Sequence, residues 1–599
     1  MHKTLCSWLV AMVAGSALAV AQVATFPLDE VEKGQRGYGL SVFQGSDPER
    51  FEFEIIGVWR NVQPGTSYIL AEFSGQGLEE SGVIAGMSGS PVYIDERLVG
   101  AVAFAWPFSK RPIGGITPID SMRDLLDARP TEPARSRRGS PVDLVDLVSP
   151  RADESILVEA LERLRPEPVG GGQVGVQWQV AGFGPESRRI LETGLGNVSA
   201  AGTGRAADSP SDLAPGSSVS GVLVTGDFSI AATGTVTDRI DDRILAFGHA
   251  FLGLGSLRLP MATSEVLTVL PNQLSSFKVA NLGDVVGAFD FDHSAGFRGR
   301  IGAEAPTVPL RIDLLGREPT AIELEIADLP ELTATLVAIS LLGALEVDPE
   351  ATGSESMELS VRFGLGELGP LDIRQSFDGP AAALEMVIHV LAVTAYLQQN
   401  ALGEVEIESV DVDVDWATEP RAVRVRSAFA NRTTVRPGEK VQITVDLQAY
   451  RGAVFRRELE IELPTDLRPG RFSLLIGDGL SVDAARLSVE PQAPTRIEKA
   501  VELLGSLHSR RQLLALGVRP EAGLAIPGAA MPRLPGSVRS LWTAAPNSSV
   551  QPLPLAVTWH GQQRLDAPLF GLARVDLLVE PEPVWPGRQE EPNSQGRSE

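Results

Sequence analysis

One serine stands between glycines in a setting that would expose it: Gly86-Met87-Ser88-Gly89-Ser90-Pro91, followed by the strand-like Val92-Tyr93-Ile94 and a turn at Asp95-Glu96-Arg97. The chemistry open to such a string is nucleophilic attack on an acyl carbon. Its glycines let the backbone bend so that the amides of Gly86 and Ser88 converge on one point, where they would stabilise the oxyanion of a tetrahedral intermediate. Ser90 is the weaker nucleophile candidate, since it precedes Pro91 and lies outside the glycine bracket. A serine is a poor nucleophile unaided, so a histidine base is required elsewhere in the chain.

There are six histidines: His2, His249, His293, His389, His508 and His560. His249 is the best placed. It ends Gly234-Thr235-Val236-Thr237-Asp238-Arg239-Ile240-Asp241-Asp242-Arg243-Ile244-Leu245-Ala246-Phe247-Gly248-His249, which reads as strand, polar hairpin turn, apolar strand and a Gly-His exit. A strand end is a rigid mount for a base. His389 falls in an apolar helix-like run and reads as core, while His293, His508 and His560 read as structural or exposed. For the acid that orients the imidazole, Asp292 in Phe289-Asp290-Phe291-Asp292-His293 is the candidate, with a solvated turn carboxylate as its plainer reading. A Ser88–His249 dyad whose tautomer is fixed by a backbone carbonyl or a water is the alternative.

The elements that must position these groups are mostly strands. In Phe51-Glu52-Phe53-Glu54-Ile55-Ile56 the residues Phe51, Phe53 and Ile55 share one face and the glutamates the other. Similar runs at 37–43, 68–73 and 99–104 surround the serine, and a short helix is expected over 118–127. Residues 22–128 thus form one small β barrel, 129–214 a linker and helical connection, and 215–315 a second barrel-sized unit carrying His249. Beyond it we expect a mixed α/β region over 316–420 with a buried helix at 380–399, capped by Asp378. An immunoglobulin-like sandwich follows over 421–490, then helix plus strands over 491–575 and a loose tail over 576–599. A capping box at Thr495-Arg496-Ile497-Glu498 predicts a helix running to about Leu516. The alternating acids Glu404, Glu406, Glu408, Asp411, Asp413 and Asp415 read as the wet face of a strand rather than a calcium site.

With 599 residues, 43% hydrophobic, 60 glycines and 43 prolines, the chain is long enough for about four domains and reads as β-rich. A formal charge of −25 argues against a nucleic-acid partner. The apolar, alanine-rich run from Leu5 to Val20 after Lys3 reads as a secretory signal over 1–21, so export to the periplasm or medium is expected. The single cysteine, Cys6, would leave with it, which removes disulfides and thiolate chemistry from consideration. No cofactor or metal is called for.

Leu78-Glu79-Glu80-Ser81-Gly82-Val83-Ile84-Ala85-Gly86-Met87-Ser88-Gly89-Ser90-Pro91, with Leu98-Val99-Gly100-Ala101-Val102 downstream, resembles the nucleophile region of the SpoIVB peptidase family of secreted serine endopeptidases. The Gly-Thr-Val-Thr to Phe-Gly-His stretch resembles that family's histidine region. The likeness covers roughly 24–122 and 215–312. It implies a mainly β, chymotrypsin-like double β-barrel whose two halves stand in swapped order, because in the sporulation protease the histidine region comes first. The C-terminal β-sandwich-like modules and a few helices would follow. It further implies a serine endopeptidase acting on protein or peptide substrates, with Ser88 as nucleophile and His249 as base. The family's proposed aspartate falls at about Ser74 here, and no PDZ-like segment is recognised. The rival reading is a catalytically degenerate scaffold of the cell envelope that holds partners through its C-terminal modules; a peptidase cutting only its own 129–152 linker is a third.

Overall fold

Alternating apolar residues with short glycine-rich turns build nearly half of the described residues into strands, most of them paired antiparallel. The structure, a computed structural model, describes residues 23–63, 65–128, 153–163, 165, 176–202, 213–489, 494–526, 529–531, 534–543, 551–565 and 567–581. The expected signal segment, the 129–152 linker, the glycine run 170–172 and the part of the expected 576–599 tail beyond 581 lie outside the described residues, while 576–579 belong to the strand Leu572–Val579 and not to a loose tail.

The first six strands are β1 (Arg36–Ser41), β2 (Glu49–Gln63), β3 (Thr66–Ser74), β4 (Pro91–Ile94), β5 (Arg97–Ala105) and β6 (Ile113–Pro118). They close into a barrel in the order β1-β2-β3-β6-β5-β4, every pairing antiparallel. Phe51, Phe53 and Ile55 point inward as the alternation requires, and Phe73 joins them, its ring centroid 5.9 Å from that of Phe51. Each such ring is worth roughly 1.5–3 kcal/mol relative to its exposed state, so the barrel is held chiefly by this inner row.

Two short strands, β7 (Trp178–Ala181) and β8 (Val198–Ala200), lead into a second set. It comprises β9 (Ser218–Gly226), β10 (Ser229–Ile240), β11 (Arg243–Ala246), β12 (Gly255–Leu270), β13 (Phe277–His293) and β14 (Gly296–Ile301). These strands belong to a 13-stranded sheet, but the extra β9–β10 pairing closes six of them into the ring β9-β10-β11-β14-β13-β12. Numbered from its own start, each ring runs first, second, third, sixth, fifth, fourth. The two barrels are therefore wired identically. Phe247, Phe251, Phe289 and Phe297 fill the second, with Phe289 and Phe297 stacked at 4.0 Å.

The sheet continues past the ring. β15 (Thr307–Leu314) and β16 (Thr320–Ala327) attach through β9, and β17 (Ser356–Gly364), β18 (Pro370–Asp378) and β19 (Ser409–Ala417) extend it further. Along β19 Asp411 and Asp413 are exposed while Val410, Val412 and Val414 are buried, as the alternation predicts. The helices Thr333–Leu345 and Ala382–Gln399 are buried against this extension. Asp378 does not cap the second of them. Its carboxylate accepts instead from the amides of Arg421 and Ala422.

The C-terminal sandwich is larger than the sequence reading. Val441, Ile443, Val445 and Leu447 share one core with Phe472, Leu474, Ile476, Val575 and Leu577, so the strands Gln512–Ile526 and Leu572–Val579 complete a module expected to end at 490. The helix expected to reach Leu516 ends at Gly505, and Arg496 rather than Thr495 stands at its N-cap. Residues 512–516 carry alternating side chains that pair into the sandwich, and that tertiary contact overrides helical propensity.

Candidate active site

Ser88 lies on the connection from the third to the fourth strand of the first barrel, and His249 lies on the corresponding connection of the second. Both connections meet at the barrel interface. Thr235 and Thr237, two residues apart on β10 and so on one face of it, grip the serine loop: Thr235 N–H donates to Ser88 O at 2.8 Å, Thr235 Oγ1–H to Gly86 O at 2.9 Å and Thr237 Oγ1–H to Gly89 O at 2.7 Å. Gly89, at φ +91°, sits so close that an added Cβ would lie 2.0 Å from Thr235 O and 2.4 Å from Phe247 N. A side chain there would push the barrels apart.

The loop's amides divide into two sets. Ala85 N–H donates to Ser276 O, Met87 to Ile84 O, Gly89 to Val102 O and Ser90 to Met87 O. The amides of Gly86 and Ser88 have no acceptor among the described residues. Their directions are nevertheless fixed, because in a trans peptide the N–H points opposite to the preceding carbonyl. Ala85 O is held by Lys278 N–H at 3.1 Å and Met87 O by Ser90 N–H at 2.8 Å. A cleft of about 390 Å³ opens at Ser88, walled by 79–86, 102–113 and 272–276 together with Asn197, with the exposed Phe108 at its rim. His249 is not among its lining residues.

His249 is presented by a strained turn. Phe247 and Gly248 both have φ +66°, and the left-handed state costs a non-glycine roughly 1–2 kcal/mol, which the packing of the Phe247 ring offsets. Gly248 O accepts from Thr117 Oγ1–H at 2.6 Å, tying this turn to β6. The imidazole is 3% exposed, and its Nδ1–H donates to Ala250 O at 2.7 Å. A carbonyl can only accept, so this contact sets the Nδ1–H tautomer and leaves Nε2 as the basic nitrogen. Burial pulls the imidazole down to about 4, against a small opposing pull from the Ala250 carbonyl. Ser88 Oγ and His249 are not hydrogen-bonded to each other in this structure.

Asp292 does not reach the imidazole. Its Oδ1 accepts from Phe251 N–H at 2.7 Å and its Oδ2 from the amides of Leu252, Gly253 and Leu254 at 2.6, 2.5 and 3.3 Å. The carboxyl is 2% exposed, and burial raises it to about 6 despite those four amides. It shapes the turn after His249 and leaves the tautomer to Ala250. Ser74, where the acid of the resemblance would fall, ends β3. His293 is exposed and accepts from Ala295 N–H, His508 pairs with Asp483, and His389 is buried in its helix. Among the described residues no group of three or more His, Cys, Asp or Glu could hold a metal ion.

The sequence reading missed the polar groups behind the serine loop. Thr235 and Thr237 carried a signal, two threonines two apart in an apolar strand. Ser41, Ser90 and Lys278 did not, since only the closed interface brings them together.

Two identically wired barrels carry Ser88 and His249 on corresponding connections, an architecture consistent with a double-barrel peptidase fold. The sequence model of the SpoIVB peptidase S55 family matches residues 16–116. That span contains Ser88 and ends before the second barrel, so the likeness to this peptidase family covers the first barrel alone. No curated protein and no solved structure matches the chain.

Proposed function

We propose that this protein is an exported serine endopeptidase that uses Ser88 and His249 across the barrel interface. The observation that carries the reading is the loop itself: of the six amides from Ala85 to Ser90, those of Gly86 and Ser88 alone lack acceptors among the described residues, beside a serine that opens onto a cleft. In this scheme Ser88 Oγ attacks the scissile carbonyl carbon and its proton passes to His249 Nε2. The oxyanion is met by the Gly86 and Ser88 amides. The C–N bond then breaks, the imidazolium returns the proton to the leaving amine, and water hydrolyses the acyl-enzyme by the same exchange. The absent Ser88–His249 hydrogen bond requires a side-chain movement on substrate binding, since catalytic hydrogen bonds are often loose in unliganded enzymes.

The apolar run after Lys3 supports export, and the C-terminal sandwich offers a surface for an envelope partner. That same missing hydrogen bond, with Asp292 turned to the 251–254 amides, favours a second reading: a barrel pair retained as a scaffold after catalysis decayed. A fluorophosphonate probe separates the two. Labelling of the wild type that is lost in both Ser88→Ala and His249→Ala supports the peptidase; a folded wild type that takes no label supports the scaffold.

A further inference from the structure

Lys278 is the second residue of β13 in the second barrel, and its side chain is buried at 1% exposure inside the interface. Its backbone amide holds Ala85 O, as described. Its side chain then runs beneath Gly86, so near that a Cβ on that glycine would lie 2.9 Å from Lys278 Cδ, and ends with Nζ donating to Ser41 Oγ at 2.9 Å. Ser90 Oγ–H donates to the same oxygen at 2.9 Å. With two donors on Ser41 Oγ, its own proton is left to face Thr235 Oγ1 at 3.5 Å, and Thr235 in turn donates to Gly86 O. A chain of buried hydroxyls thus links an amine of one barrel to the peptide that follows the first oxyanion amide of the other.

No carboxylate is part of this arrangement. Burial alone pulls the amine down to about 7, and the aromatic face nearest it is Phe43, at 5.9 Å from the ring centroid. An amine buried without a counter-charge is costly, and hydrophobic residues of similar length fill such space more cheaply. A methionine would keep the backbone bond to Ala85 O and the stem beneath Gly86, so what the amine adds is its hydrogen bond to Ser41 and, through the hydroxyl chain, to the Gly86 peptide.

We infer that Lys278 is a positioning residue for the peptidase site: through Ser41 and Thr235 it holds the Gly86 peptide so that the Gly86 and Ser88 amides stay aimed at the oxyanion. The inference rests on the peptidase reading above. It predicts a selective effect, because an oxyanion contact acts in the transition state and leaves ground-state binding alone.

The test compares full-length wild type with Lys278→Met and Ser41→Ala, the second a lighter change for use if the first fails to fold. The probe is a fluorophosphonate, resolved into its binding constant and maximal labelling rate, with hydrogen exchange of peptides covering 84–90 alongside. The expected result is a ten- to hundredfold fall in maximal rate with the binding constant within twofold, together with faster exchange at 84–90. Unchanged rate and exchange in a folded variant overturn the inference, as does a loss confined to the binding constant. If the wild type takes no label, the peptidase reading falls on its own. The exchange data then still decide: unchanged protection at 84–90 removes Lys278 as the anchor of this loop, and faster exchange retains it.

Discussion

The buried imidazole makes a sharp prediction about pH. An ordinary histidine titrates near 6.5, whereas burial holds His249 near 4. At pH 5.5 about 9% of an ordinary imidazole is neutral, against about 97% of one titrating at 4. The maximal rate of Ser88 labelling, which needs the neutral base, should therefore remain within about 10% of its pH 7.5 value at pH 5.5, where an ordinary base would lose roughly tenfold. The assay is labelling rate against pH from 3.5 to 8.5, run in parallel on Lys278→Met so that any inflection near 7 from the Lys278 amine is identified and removed. An acid limb between 6 and 7 that survives in Lys278→Met refutes the reasoning, because the working imidazole would then be solvated and the turn at Phe247–Gly248 would have to open before chemistry. Stability carries the same signature. The folded state binds fewer protons at this site than the unfolded chain between pH 6.5 and about 4, so the contribution is complete above 6.5 and about 3 kcal/mol of it is lost as pH falls through that window.

Further outcomes follow from the same contacts. Asp292 has the opposite sign: its raised carboxyl contributes stability below 3.8 that is lost as pH rises toward about 6, so thermal stability should be nearly flat between pH 4 and 6 in the wild type and should fall on acidification in Asp292→Asn. The same variant should leave the acid limb of labelling in place; a thousandfold loss of labelling at unchanged melting temperature would put Asp292 on the imidazole after all. Gly89→Ala adds a left-handed alanine and drives its Cβ into Thr235 O, and should lower stability by about 3 kcal/mol or more in denaturant titration. Thr237→Val removes the donor to the buried Gly89 O, with an expected loss of about 1–3 kcal/mol; a neutral effect would mean that the loop does not seat on β10.

Ser88 and His249 could be singled out because the constraints on such residues are local. Glycines must flank a serine whose neighbouring amides are to stay free, and a strand must end where a rigid base is wanted. Both constraints act within a few residues of sequence. The barrels were legible as alternation, Phe51-Glu52-Phe53-Glu54-Ile55 being the clearest case. The closure of the second ring was expected from the family resemblance and not from alternation, since a single pairing between β9 and β10 converts an open sheet into a barrel and leaves no trace in periodicity. Asp292 misled for a related reason. A carboxylate near a histidine in sequence is equally suited to capping the backbone between them, and four amides of the 251–254 turn outbid one imidazole. Lys278 was hidden altogether, because a lysine at the start of a strand reads as solvated until a second barrel covers it.

The wiring bears on the swapped order of the two halves that the resemblance implies. A protein whose nucleophile and base sit on different kinds of barrel would need each barrel in its own place, since exchanging them would move the two connections apart. Here both residues follow the third strand of identically ordered rings, and the contacts that join them are symmetric in kind: loop carbonyls of one barrel on hydroxyls of the other, Gly86 and Gly89 on Thr235 and Thr237, Gly248 on Thr117. Chain order then matters only for the connection between the rings. In this protein that connection runs from the helix Ile119–Asp127, whose Met122 packs against Leu245 and Ala295 of the second barrel and whose Arg123 pairs with Asp238 at 2.8 Å, to β7 on the outer edge of β10. Its described residues meet the second ring at β10, and one of them, Asn197, lines the cleft at Ser88.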